Sequence, residues 1–163
     1  MKITRVWAMP NKWTFDIKPI KQLLIRHCIG VWADPYAGKN GGVYSKYTND
    51  LANGGIDALE YLKSLQIELD GILLDPPYSL RQVSEHYKKA GIKVTGWHTS
   101  AGYNSALKDE ASRLIKTGGK AICFGWNSMG LGKNRGFEMV EILLVPHGGS
   151  KNDTIVTVER KIK

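Results

Sequence analysis

No stretch of this chain reaches the roughly eighteen apolar residues that a membrane-crossing helix needs, and no basic-then-apolar leader opens it. Neither a membrane partner nor an export signal is expected. Cysteine is nearly missing: Cys28 and Cys123 are the two present, in apolar contexts and without a CxxC spacing. They read as buried thiols of a reducing compartment rather than a disulfide or a zinc site, so no metal is expected. The chain has no GxGxxG turn and no glycine-rich loop ending in Lys-Ser or Lys-Thr, which disfavours dinucleotide and nucleoside-triphosphate sites. Repeats and low-complexity tracts are missing too. Acids are in short supply. The 15 Asp and Glu against 23 Lys and Arg leave a net charge of +8. That surplus favours polyanionic partners such as nucleic acid.

What is present fits one α/β domain over residues 1–163, with 42% hydrophobic and 23% charged residues. The most informative stretch is Gly71-Ile72-Leu73-Leu74 running into Asp75-Pro76-Pro77-Tyr78. The apolar run predicts a buried strand, and the prolines end it because neither has an N–H for the ladder. Carbonyls are left free beside an acid and an aromatic ring. Asp75 and the Pro76 carbonyl can each accept one N–H of a planar amine while Tyr78 stacks on its ring. Such an amine is a poor nucleophile, because its lone pair is delocalised. Preorganised acceptors on its hydrogens are worth about 3–4 kcal/mol each in comparable sites. The other reading is an ordinary strand exit.

Further strands are expected at 28–33 and 43–48, ending in Asp34-Pro35-Tyr36-Ala37-Gly38 and in Asn49-Asp50. A small-residue loop after a strand lets a ligand approach the backbone. An acid after the second strand suits a ribose diol, which points to Asp50 with Asn49 second; a plain turn is the alternative. Asp57 precedes a short helix carrying Leu59, Leu62 and Leu65, and could be its N-cap. Asp34, Asp50, Asp57 and Asp75 thus each follow a candidate strand, and parallel strands would bring them to one edge of the sheet.

Ile20, Leu23, Leu24 and His27 share one face of a helix that opens near Pro19. Val83, His86, Tyr87 and Ala90 share another, over 80–90, stopped by Gly91. Leu107, Ala111, Leu114 and Ile115 stripe a third over 106–116, stopped by Gly118-Gly119. The irregular 92–103 segment holds Trp97 and His98, either stacking groups or plain packing. A strand is expected over 120–126, then an antiparallel hairpin of 137–145 and 154–158. Lys133 and Arg135 between them are free to meet phosphates.

Asp75-Pro76-Pro77-Tyr78 resembles motif IV of the S-adenosylmethionine-dependent amino-methyltransferases, which methylate N6 of adenine or N4 of cytosine. The resemblance implies that Asp75 and Pro76 hold the target amine and Tyr78 stacks on a flipped base, with Pro77 completing the catalytic motif. Asp34-Pro35-Tyr36-Ala37-Gly38, with Gly41 or Gly42, is similar to motif I, with Tyr36 in place of a phenylalanine. Asn11, Lys12, Trp13 and Thr14 resemble motif X, which helps hold the methionine end of the cofactor. Asp57-Ala58 resembles motif III, whose acid accepts from the cofactor's adenine amine. Trp126 matches an aromatic of motif VIII beside the target base.

The implied fold is the class I methyltransferase fold: an α/β, Rossmann-like, mostly parallel sheet with a C-terminal antiparallel hairpin and helices on both faces. The implied cofactor is S-adenosylmethionine. The implied reaction is methylation of adenine N6 in DNA, as in small phage-type DNA adenine methyltransferases, in the cytoplasm of a bacterium or a phage-infected host. Two departures stand out. The helix between the second and third strands is nearly missing, and there is no room for a separate target-recognition domain. The latter leaves loose specificity, a protein partner or self-association that supplies recognition, or RNA as the substrate. A cytosine-N4 enzyme and a catalytically dead nucleic-acid-binding relative are the remaining alternatives.

Overall fold

The computed structural model describes residues 1–38 and 42–163; the loop glycine Gly41 lies outside the described residues. The strands are β1 (Lys2–Arg5), β2 (Trp32–Asp34), β3 (Tyr47–Thr48), β4 (Leu69–Leu74), β5 (Ile115–Gly125), β6 (Phe137–Val145) and β7 (Thr154–Lys161). The helices are α1 (Lys18–His27), α2 (Ala58–Ser64), α3 (Leu80–Lys89) and α4 (Ala101–Leu114). One seven-stranded sheet runs in the order β1-β6-β7-β5-β4-β2-β3. β7 pairs antiparallel with β5 and β6, while the other pairings are parallel. Six strands therefore deliver their C-terminal ends to one edge. Ligands gather at that edge in open α/β sheets.

The two faces follow from the period of two along each strand. Leu73, Ile122, Phe124 and Val156 pack with Trp32 under Ile20, Leu23 and Leu24 of α1. Ile72, Leu74 and Ala121 pack on the opposite face under Leu59 and Leu62 of α2 and Leu107 and Ala111 of α4. Each fully buried Leu or Ile stabilises the fold by about 1.5–3 kcal/mol. Gly71 is needed inside β4 for space: a Cβ there would stand 2.4 Å from the Trp32 ring.

Several boundaries differ from the sequence reading. β2 begins at Trp32, not at 28. Cys28 caps α1 through its N–H to the Leu24 carbonyl (2.8 Å), and Gly30 turns the chain at φ +93°. Asp70 fixes the restart by accepting the Val31 N–H at 2.7 Å. β3 is two residues long because it is an edge strand held only by β2. α4 starts five residues before the expected 106, since Ser100 supplies an N-cap by accepting the Tyr103 N–H at 3.0 Å. Gly118 and Gly119 do not stop that helix; they lie inside β5. The helix passes directly into Ile115, which is buried and pairs with Leu69, and the register shift between Leu69 and Gly71 absorbs the extra residues. β1 was not anticipated, and β7 runs three residues past 158.

Asp57 also departs from the expected pattern. Asp34 ends β2, Asp75 follows β4, and Asp50 lies just beyond β3, but Asp57 precedes α2 with no strand before it.

Candidate active site

The Asp-Pro-Pro-Tyr exit from β4 is tied down on both sides. Ser79 and Gln82 form a capping box at the start of α3, and the Gln82 carboxamide oxygen also accepts the Tyr78 N–H at 2.8 Å. The Tyr78 hydroxyl donates to an Asp75 carboxylate oxygen. The Tyr78 ring meets Trp126 edge-on, with centroids 5.8 Å apart. Trp126 follows the last residue of β5 and stays 44% exposed.

Cavities open on both sides of Asp75. One, about 570 Å³, is walled by Trp13, Tyr36, Tyr44, the Ala37–Gly38 backbone and Asp75 itself, with Lys12 and Lys21 also lining it. Lys12 holds its ammonium over the Trp13 ring, 5.2 Å from the centroid. A second space of about 250 Å³ is lined by Thr14, Asp75, Pro76, Pro77, Tyr78 and His86. A third of about 400 Å³ lies against Leu51 and Ala58, the residues that follow Asp50 and Asp57, and is closed by Tyr87 and His98.

Gly38 sits at φ +64°, a conformation that favours glycine. Its N–H donates to Asp50 at 2.9 Å, and a Cβ would project to 3.6 Å from the Trp13 ring. The loop backbone therefore borders the cavity without a side chain between them.

The acids are crowded. Burial pushes the Asp34 carboxyl up to about 8, reinforced by the charges of Asp75 and Asp50 and opposed by the Tyr36 N–H, which donates at 2.9 Å. Burial also raises Asp75, with the Tyr78 and Thr14 hydroxyls pulling it back. Burial lowers His86, so its imidazole favours the neutral form. A cation placed in this cluster would relieve the mutual repulsion.

The remaining expected residues divide. Pro35 is buried, and its carbonyl accepts the Asn49 amide at 3.3 Å. Asn49 also donates to the Ile56 carbonyl at 2.8 Å and accepts the Ile56 N–H at 3.0 Å. It is a buried staple between loops, not a group turned to a ligand. Asp50 orders the loop through Gly38 and Asn53. Asp57 caps α2 through Leu59 and Glu60, while the Tyr87 and Tyr103 hydroxyls donate to its other oxygen. Those four donors fill the acceptor sites of a carboxylate, which favours the N-cap role over an adenine contact.

Asn11 accepts the Trp13 N–H at 2.9 Å and faces a neighbouring cavity. His98 stacks on Tyr87 at 4.4 Å, and Trp97, half exposed, meets Tyr103 edge-on. Lys133 is exposed. Arg135 is not free: it holds Asp109 at 2.6 Å, Ser105 at 2.9 Å and the Leu131 carbonyl at 3.0 Å. Sequence reasoning missed Tyr103 as a partner of Asp57, Gln82 as the brace of Tyr78, and Lys108 and Lys151 near Trp126.

This sheet order, its single antiparallel strand and the helices on both faces define a class I, Rossmann-like methyltransferase fold. No family model and no curated protein matches the chain. Solved structures do. NodS, an N-methyltransferase from Bradyrhizobium japonicum WM9, has a TM-score of 0.58 at 11% identity over 90% of this chain and 96% of its own. NSun6 from Pyrococcus horikoshii, solved with SFG, has a TM-score of 0.55 at 17% identity over 87% of this chain. TrmN from Thermus thermophilus has a TM-score of 0.51 at 19% identity over 90% of this chain. The chain spans about half the length of the last two (50% and 49%). No helix among the described residues is long and apolar enough to cross a membrane.

Proposed function

We propose that this protein transfers a methyl group from S-adenosylmethionine to the exocyclic N6 amine of adenine in DNA. The observation that carries the reading is the position of Asp75, on the wall shared by the 570 Å³ cavity and the smaller space lined by Pro76, Pro77 and Tyr78. A donor in the first and an amine in the second would meet at that carboxylate.

The residues of the larger cavity suit the cofactor. Aromatic faces and nearby carboxylates favour a sulfonium. Lys12 and Lys21 suit the carboxylate of a methionine end. The nucleoside end would reach the 400 Å³ cavity beside Leu51 and Ala58. When bound, S-adenosylmethionine supplies the electrophilic methyl group.

The chain's own groups do the rest. Asp75 and the Pro76 carbonyl accept the hydrogens of the amine and free its lone pair. Tyr78 trades its hydrogen bond to Asp75 for a stacking role, and Trp126 walls the ring from the other side. Positioning of this kind lowers the barrier without a strong base. The Asp75 carboxyl, held above its ordinary value, can take the proton that the methylated amine sheds.

The test is transfer of labelled methyl groups to DNA and RNA, followed by nucleoside mass spectrometry of the digested product. N6-methyladenine in DNA is expected. N4-methylcytosine, or product in RNA alone, would move the substrate. A protein that never binds the cofactor by calorimetry would overturn the reading.

A further inference from the structure

Three cavities reach Trp126, and the two that also reach a lysine differ in charge from the donor cavity. One, about 300 Å³, is lined by Tyr78, Asn104, Lys108, Cys123, Trp126 and Asn127 among others. The other, about 310 Å³, is lined by Asn11, Tyr78, Gln82, Trp126, Lys151 and Asn152 among others. Among the described residues neither lining contains a carboxylate, whereas the donor cavity contains Asp16 and Asp75. Each has one lysine and several side-chain amides. Tyr78 and Trp126 belong to both, so the aromatic pair is the ridge between them.

We propose that a single strand of nucleic acid crosses this ridge. It would carry its target base into the pocket beside Pro76 and Tyr78, stack a neighbouring base on the open face of Trp126, and place phosphates near Lys108 on one side and Lys151 on the other. The inference rests on the methyl-transfer reading and adds the strandedness of the substrate. A carboxylate-free channel with a lysine at each side repels a polyanion least, and an exposed indole offers a stacking face to any base. A base inside a duplex has both faces covered, so it must first be unpaired at a cost of a few kcal/mol. A strand already open avoids that cost.

The experiment compares methyl transfer to one DNA oligonucleotide as a single strand and as its duplex, with an RNA of the same sequence as a third arm. The wild-type protein is expected to prefer the single strand by tenfold or more in kcat/KM. Trp126→Ala should lose about tenfold on the single strand, the scale of one lost stack, while Trp126→Phe retains most of the rate. The double variant Lys108→Ala and Lys151→Ala should flatten the salt dependence of single-strand binding by about 1.4 units of log–log slope. Equal rates on duplex and single strand, or the lysine variant keeping the wild-type salt slope, overturn the inference and leave methyl transfer standing; Trp126→Ala at the wild-type rate overturns it too and removes Trp126 from the base pocket. Absence of transfer to every oligonucleotide removes the underlying reading, and this one with it.

Discussion

The two ends of the sheet are built differently. β5, β6 and β7 have 11, 9 and 8 residues and pair through long antiparallel registers. β2 and β3 have three and two residues, and most of what surrounds them is loop. Ladder pairings are concentrated in the first region. The crowded acids and the 570 Å³ cavity lie at the second. A fold that must admit a ligand places its rigid ladder beside the opening, not in it.

The sharpest test of that contrast is Phe137→Ala in β6. Phe137 is 1% exposed, and its truncation should cost about 3–5 kcal/mol in urea unfolding. At the loop end, Asp75→Ala should leave the unfolding midpoint almost unmoved. Methyl transfer should nevertheless fall by about 10²–10³-fold, the scale of one preorganised group. Gly38→Ala probes the same end more gently. The strained φ costs about 1–2 kcal/mol, and the methyl at the cavity wall should weaken cofactor binding in calorimetry.

The remaining tests concern pH, where the two ends have opposite signs. Asp34 is raised from 3.8 to about 8 by burial and by its acidic neighbours. Its contribution to stability is complete below its ordinary value and is lost as pH rises toward 8. Asp34→Asn should therefore gain stability over wild type near pH 8 and match it near pH 4. Glu141 on β6 is the reverse case. Burial pushes it up, but the His27 hydrogen bond at 2.9 Å and the charges of Arg26 and Lys2 hold it below 4.5. That contribution is present above its ordinary value and is lost as pH falls. Glu141→Gln should remove part of the acid-side loss of thermal stability, read as a flatter Tm against pH.

The same contrast governs what could be read from the residues. The exit at Asp75 was legible because two prolines cannot continue a ladder. α1 and α3 were legible because apolar period and cap signals agree there. β2 and β3 were legible as strands but not in their bounds, since three or two residues carry no period. Gly118-Gly119 looks like a helix stop by local rules, but Ile115 is drawn into β5 by pairing with Leu69, which no local rule contains. Asn49 and Asp57 show the limit for site residues. Each type suits a ligand, yet the partners that occupy Asp57 come from Tyr87 and Tyr103, 30 and 46 positions away. Lys108 and Lys151 carry no local mark; only the fold brings them to either side of Trp126.

Trp13 and Thr14 reach the 570 Å³ cavity on an arm whose other end is held at the far side of the sheet. Val6 and Ala8 donate to the Leu144 and Pro146 carbonyls at 2.9 and 3.2 Å, and His147 bridges the Ala8 carbonyl and Thr154. Residues 6–8 thus lean on the end of β6 and on the turn that leads into β7. Loosening the β6–β7 hairpin should therefore loosen a wall of the 570 Å³ cavity as well, although no residue of that hairpin lines it.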